Sequence, residues 1–182
     1  MAEPRLIYPS RMWESEIMQY RRECLECDGS VSGASSLGKF HDATEWLVWL
    51  GKLSSEDTCP PNYVPSTTLI LVDDSSHRLL GTVDIRHRLN YYLRHFGGHS
   101  GYSIRPSERG KGLGTLQLKK AMEFAANNLN IYKTLVTCNE SNEASRRTIL
   151  SCGGLFEASE YDVSCREMVQ RYWLKYKRPF GV

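Results

Sequence analysis

Apolar residues recur along this chain with two periods, and each change of period marks a new element. Leu6-Ile7-Tyr8 is a short apolar run that reads as a strand, and Pro9-Ser10 breaks it. Trp13, Ile17, Tyr20 and Cys24 then fall at helical spacing, so an amphipathic helix follows, and Asp28-Gly29 stops it. Residues 28–39 are rich in Gly and Ser and are expected to form a mobile loop. Phe40, Ala43, Leu47 and Leu50 make a second helical stripe, with Trp46 and Trp49 alongside, and Gly51 is expected to end it. Pro60, Pro61 and Pro65 keep residues 51–66 out of regular structure.

From residue 67 the pattern changes to strands. Thr67 to Asp73 is β-branched and apolar, Asp74-Ser75-Ser76-His77 reads as a turn, and Leu79 to Ile85 follows as the partner strand. Gly81 inside that strand marks a candidate bulge. Arg86-His87-Arg88 and Arg94-His95 then interleave with Leu89, Tyr91, Tyr92 and Phe96. Tyr102 and Ile104 alternate as a strand that Pro106 ends. Leu118, Ala121, Met122, Ala125 and Leu129 form a helical stripe with Asn130 as its cap. Lys133 to Cys138 reads as a buried strand, which makes a parallel, right-handed βαβ unit with the strand before the helix. A short helix from Ser141 stops at Gly153-Gly154. Residues 155–161 and 167–176 close the chain as a hairpin, with Met168, Tyr172 and Trp173 as its apolar mass.

The chemistry concentrates between the strand of Tyr102 and the helix of Leu118. Gly110, Gly112 and Gly114 stand at every second position beside Arg109 and Lys111, and Leu113 and Thr115 open the helix. A glycine loop at a helix N-terminus suits an anion, because missing Cβ atoms admit a ligand to backbone N–H groups that have no helical partner. The loop is neither the G-x-x-x-x-G-K-S/T nor the G-x-G-x-x-G pattern of nucleotide sites.

Arg109-Gly110-Lys111-Gly112-Leu113-Gly114 does match Q/R-x-x-G-x-G/A, and so resembles the acetyl-CoA pyrophosphate loop of the GNAT superfamily of N-acetyltransferases. The later strand, Asn142-Glu143-Ala144-Ser145 and a short helix ending in glycine resemble the superfamily's next segment, in order and spacing. The resemblance covers residues 67–176. Gly97-Gly98-His99-Ser100-Gly101-Tyr102 and Gln170-Arg171-Tyr172-Trp173 also resemble a group of predicted bacterial acetyltransferases of undefined substrate. The resemblance implies one α/β (α+β) domain over residues 1–182. Its sheet would be mixed but mostly antiparallel, of about six or seven strands, with helices on both faces and a central splayed strand. Residues 1–66 would wall the acceptor side and 67–176 would form the cofactor-binding core.

Composition narrows the class. The chain has 182 residues, 41% of them apolar and 24% charged, which suits one domain with a real core. A net charge of only +2 gives no case for nucleic acid. No run has the apolar length of a membrane span, and Met1-Ala2-Glu3-Pro4-Arg5 lacks a signal-peptide core. Cys24-x-x-Cys27 has metal spacing but no second ligand pair, so no metal is expected. Reduced cysteines point to the cytosol.

The resemblance then assigns roles. Residues 109–115 would hold acetyl-CoA through backbone N–H groups, with Arg109 and Lys111 as electrostatic aids. The pantetheine arm would pair with backbone near Ile104 and Pro106, and Asn142 and Ser145 would contact it; capping is the plainer role for Asn142. Asp84 and His99 are candidates for the general base, with Glu45 behind them. Relatives often carry a Tyr seven residues beyond the Asn, but that position is Ile149, so Tyr102, Tyr172 or water would protonate the leaving thiolate. The basic aromatic stretch of residues 86–96 is either a solvated surface or a patch for an anionic group of the acceptor. The expected activity is direct transfer to a primary amine of a small molecule or peptide. A non-catalytic acetyl-CoA-binding module and a nucleotide-binding domain are the alternatives, and a homodimer is compatible with the sequence.

Overall fold

A computed structural model describes residues 3–176. Among these, seven strands form one sheet in the order β1-β2-β3-β4-β5-β7-β6. They are β1 (Arg5–Ile7), β2 (Ser66–Asp73), β3 (Arg78–Arg86), β4 (Ser100–Ile104), β5 (Lys133–Asn139), β6 (Leu155–Asp162) and β7 (Glu167–Lys175). Four α-helices cover it: α1 (Glu14–Asp28), α2 (Ala43–Leu53), α3 (Leu113–Leu129) and α4 (Glu143–Ser151). Every strand pair is antiparallel except β4 with β5. The α/β class, the splayed centre and helices on both faces all match the expectation.

The near-continuous apolar run of β2 has a direct cause. Ile70 and Val72 pack under α1 and α2, with Ile17, Tyr20 and Trp46. Leu69, one residue away, packs with Ala121 and Ala125 of α3 on the other face. A strand buried on both faces loses polar alternation. On β3, Thr82 bonds Tyr20 of α1, while Val83 joins Leu69 under α3, so Thr82 and Asp84 belong to the α1–α2 face.

Three details depart from the sequence reading. Gly51 does not end α2, which runs on to Leu53; the glycine lies in the last turn with open space at its Cα. The bulge falls at Leu80, between the pairs Leu71–Gly81 and Val72–Leu79, rather than at Gly81. Gly81 is required for a different reason: a Cβ there would lie 2.4 Å from Gln117 Oε1 and 2.6 Å from the Ser103 carbonyl.

The third departure is the Gly/Ser-rich loop, which is pinned over the sheet rather than loose. Ala34 and Leu37 are buried in the α1–α2 core. Trp46 Nε1 donates to the Ala34 carbonyl at 2.9 Å, and Ser103 Oγ donates to the Ser32 carbonyl at 2.6 Å. Gly33 lies so close to β4 that a Cβ would sit 2.3 Å from Tyr102 Cα.

Candidate functional site

β4 and β5 pair at a single position, Ser100 with Val136. Beyond it the two strands part, and residues 101–104 have β3 as their ladder partner on one side only. Arg86 N–H donates to the His99 carbonyl and Arg105 N–H to the Leu80 carbonyl, so odd-numbered residues of β4 serve β3. Alternation along a strand then directs the N–H and C=O groups of Tyr102 and Ile104 toward the opening.

A groove of about 700 Å³ occupies that opening. Its walls include Ile104, Gly110, Gly112, Gly114, Asn142 and Thr148. Gly110 and Gly112 hold φ values of +78° and +76°, and nothing lies within 4 Å of where their Cβ atoms would be. Both conditions select glycine: the backbone is left-handed and the space is open. Gly112 is the N-cap of α3, so the helix begins with its free amides facing the groove end. Leu113 and Thr115 line the same groove; Pro106 begins the short turn that connects β4 to the loop.

The cations of the loop are already paired. Arg109 forms a fork with Asp28, its Nη1 lying 3.0 Å from Oδ1, and its Nε donates to the Ile104 carbonyl at 3.1 Å. The same guanidinium holds the Asp28 carboxyl below the usual range. Lys111 bridges to Glu108 at 2.7 Å. Arg109 thereby ties the end of α1 to the end of β4; Arg147 on the groove wall lies 3.4 Å from Glu143, so the helix amides are the groove's uncommitted positive groups. The sequence reading missed Arg147 and Thr148; their place three and four residues after Ala144, on the groove face of α4, is the signal that names them.

Asn142 Oδ1 accepts from Ser145 N–H at 3.0 Å and caps α4, and both residues line the groove. Tyr102 Oη lies 3.0 Å from Ser145 Oγ, and burial pushes its phenol up to about 12. Ile149, where relatives often carry a tyrosine, is fully buried with Leu118, Met122 and Tyr172. The Tyr102 hydroxyl reaches the same helix from the strand side.

A second cavity of about 290 Å³ lies on the α1–α2 face. Asp84 and Arg86 line it, with Ser35, Trp49, Tyr63 and Tyr92 among the other walls. Asp84 is 4% exposed and stands opposite Gly101 of β4 in the ladder. Its Oδ1 accepts from Ser35 Oγ at 2.9 Å and Thr68 Oγ1 at 3.2 Å, and its Oδ2 lies 3.0 Å from Arg86 Nε. Trp46 is core, whereas Trp49 walls the cavity. Glu45 lies exposed on α2 and outside both cavities.

His99 stands apart from both cavities. Its Nδ1 accepts from Leu135 N–H at 3.0 Å, and burial, with Arg86 nearby, lowers it to about 4. It is therefore neutral at pH 7 and its lone pair is engaged. In the basic aromatic stretch, Arg88 pairs with Glu56, Arg94 with Glu157 and His95 with Glu160. Of the basic residues of that stretch, Arg86 is the one on the wall of these two cavities, with Asn90, Tyr92 and Leu93 of the same stretch beside it.

Arg105 is the charge that the sequence reading overlooked. It is 2% exposed, and its guanidinium bonds Glu16 and Glu23 at 2.7 Å and Gln19 at 3.1 Å. Glu23 also accepts from Ser107 N–H, so α1 clamps the exit of β4 just before the glycine loop. Glu16, Gln19 and Glu23 recur at i, i+3 and i+7, a polar stripe on a core-facing helix that advertises a buried cation.

Residues 29–154 match the family model of the acetyltransferase (GNAT) domain. The ribosomal-protein-S5-alanine acetyltransferase of Vibrio fischeri overlays with a TM-score of 0.71 at 16% identity, covering 96% of this chain and 94% of that one. A GNAT-family acetyltransferase of Streptococcus pneumoniae overlays with a TM-score of 0.64 at 20% identity, covering 96% and 100%. A microcin C7 self-immunity acetyltransferase, solved with acetyl-CoA and AMP, overlays at 0.67 and 16% identity, covering 97% and 94%. These three likenesses are of fold. No curated protein sequence matches the chain.

Proposed function

The chain belongs to the GNAT acetyltransferase family, and from that premise we propose that it moves an acetyl group from acetyl-CoA to a primary amine by direct transfer. The observation that carries the reading is the parting of β4 from β5 beside open, left-handed Gly110 and Gly112. A diphosphate suits that corner, and an extended amide-bearing arm suits the edge of β4 that no strand covers, where the Ile104 carbonyl is already held by Arg109.

When bound, acetyl-CoA supplies a thioester whose carbonyl carbon forms the new C–N bond as its C–S bond breaks. Residues 109–115 bind through backbone N–H groups. Backbone N–H of β4 polarises the carbonyl where negative charge develops. Asn142 and Ser145 hold the arm from the α4 side. Asp84, at the cavity beside β4, takes the proton that the amine must lose. A carboxylate whose lone pairs are largely engaged acts through its remaining site or through one water. His99 is the poorer base, because its Nδ1 is committed to Leu135. Tyr102, still protonated at neutral pH, is the proton donor for the departing sulfur. Residues 1–66 wall the acceptor side, and the acceptor is a small molecule or a peptide end.

Calorimetry with acetyl-CoA, ATP and NAD tests the cofactor assignment; tighter binding of either nucleotide would overturn it. Thiol release over a panel of amines tests turnover. Binding of acetyl-CoA with no release for any acceptor would leave a sensor module rather than an enzyme.

A further inference from the structure

The cavity on the α1–α2 face has a charge pattern that limits what enters it. Among the described residues on its walls, Asp84 and Arg86 are the charged ones. They stand side by side, Arg86 Nε 3.0 Å from Asp84 Oδ2, so the cavity is neutral overall. Each partner keeps capacity for more. A carboxylate offers about four lone-pair sites, and Asp84 uses one each toward Ser35, Thr68 and Arg86. Arg86 Nη1 donates to the Gly97 carbonyl at 3.1 Å, and Nη2 makes no hydrogen bond among the described residues.

A polycation would bring several charges to one carboxylate that is already paired. A phosphorylated compound would bring a double negative charge to one guanidinium in the same condition. A zwitterion with both charges on one carbon matches the pair without an excess of either sign. The remaining walls set the rest of the molecule. Trp49 and Tyr63 meet edge to face with centroids 5.1 Å apart, and Tyr92 stands near. Such rings favour an apolar or aromatic group. The volume of about 290 Å³ is at the small end of ligand sites.

We propose that the acceptor is a free α-amino acid with an apolar or aromatic side chain, its ammonium on Asp84 and its carboxylate on Arg86. This rests on the reading of the cavity as the acceptor pocket. Arg86 thereby sets specificity; Arg88, Arg94 and His95 are spent on structural carboxylates and His87 on the Thr67 hydroxyl. The transfer step itself is unchanged: the ammonium gives one proton to Asp84, its nitrogen bonds the acetyl carbon as the C–S bond breaks, Tyr102 protonates the departing sulfur, and the nitrogen's second proton returns to Tyr102 through water.

The test uses the full chain, acetyl-CoA and thiol release. Phenylalanine and leucine are compared with phenylalaninamide, phenethylamine and spermidine. The acids should show kcat/KM at least about tenfold above the amide and the amine, the worth of one charge-assisted hydrogen bond. Spermidine should give no release. Arg86→Gln should remove that preference, lowering kcat/KM for the acids much more than for the amide, and Arg86→Lys should restore part of it. An amide used as well as its acid by the unaltered protein would overturn the proposal, whatever the fate of the variants. So would an equal fall for acid and amide in Arg86→Gln, which would make Arg86 structural. Calorimetry keeps the two readings separate: acetyl-CoA bound but no amino acid accepted sinks this inference alone, whereas no acetyl-CoA binding sinks the proposed function with it.

Discussion

At Gly112 the chain holds φ +76° at the entry to α3, with open space where a side chain would go. A branched residue there carries the left-handed penalty of about 1–2 kcal/mol and fills the opening. Gly112→Val should therefore abolish measurable acetyl-CoA binding by calorimetry. The loop is exposed, so the fold should survive, with a Tm lower by about 2–8 °C. Unchanged affinity would refute the role of the glycine. Asp84 permits a sharper test. If it takes the amine's proton, Asp84→Asn should lower kcat about 10²-fold or more near pH 7. The deficit should shrink as pH approaches the free-amine pKa near ~10. A pH–rate profile with a constant deficit would make Asp84 a structural partner of Ser35, Thr68 and Arg86. The identity of the loop glycines was legible because their spacing is local. The pairing of Arg109 with Asp28 was not, since the two residues are 81 positions apart.

The elements divide in the same way. Each helix and strand follows from its period, and the boundaries at Gly29 and Asn130 fall at left-handed C-caps as expected. The segment between α1 and α2 reads as loose by composition. It is in fact a strap across β4, fastened through Ser32, Ala34 and Ser35. Composition reports what a backbone is free to do, not what a neighbouring strand holds it to. Gly33→Ala tests the strap. The added Cβ would meet the Tyr102 backbone at a φ of +63° that alanine resists. The expected cost is about 2–4 kcal/mol, read as a Tm lower by several degrees. A stability equal to the unaltered protein would mean the strap lifts freely. The short α4 shows the complementary case. Asn142 both caps it and walls the groove, so its capping bond and its place on the groove wall coincide in one side chain.

For the whole molecule, charge placement predicts how stability follows pH. His99 is lowered to about 4, so its neutral form stabilises the fold fully above the ordinary imidazole value of 6.5. That contribution is lost as pH falls from 6.5 toward 4. Burial alone would raise Glu23, yet hydrogen bonds from Ser107 and Arg105 bring it down to about 2. Arg94 and Trp173, against some desolvation, bring Glu157 to about 2 as well. These two carboxylates stabilise the fold above the ordinary value of 4.5, and that is lost as pH falls toward 2. Tm should therefore decline in two stages below neutrality. His99→Asn, which keeps an acceptor for Leu135 N–H, should shrink the first stage and leave the second; His87, also lowered by burial, supplies what remains of the first. A single decline confined below pH 4.5 in the unaltered protein would contradict this placement of His99.

The order and type of the elements and the glycine loop were set by local spacing, which folding does not alter. Periodicity of 2 or 3.6 residues and a left-handed turn need only near neighbours. The opening between β4 and β5, the buried Arg105 clamp, and the Asp84–Arg86 pair facing one cavity were decided by the tertiary structure. Each joins residues on separate elements or sets the distance between strands. No local pattern encodes a contact whose partners meet only when the sheet closes.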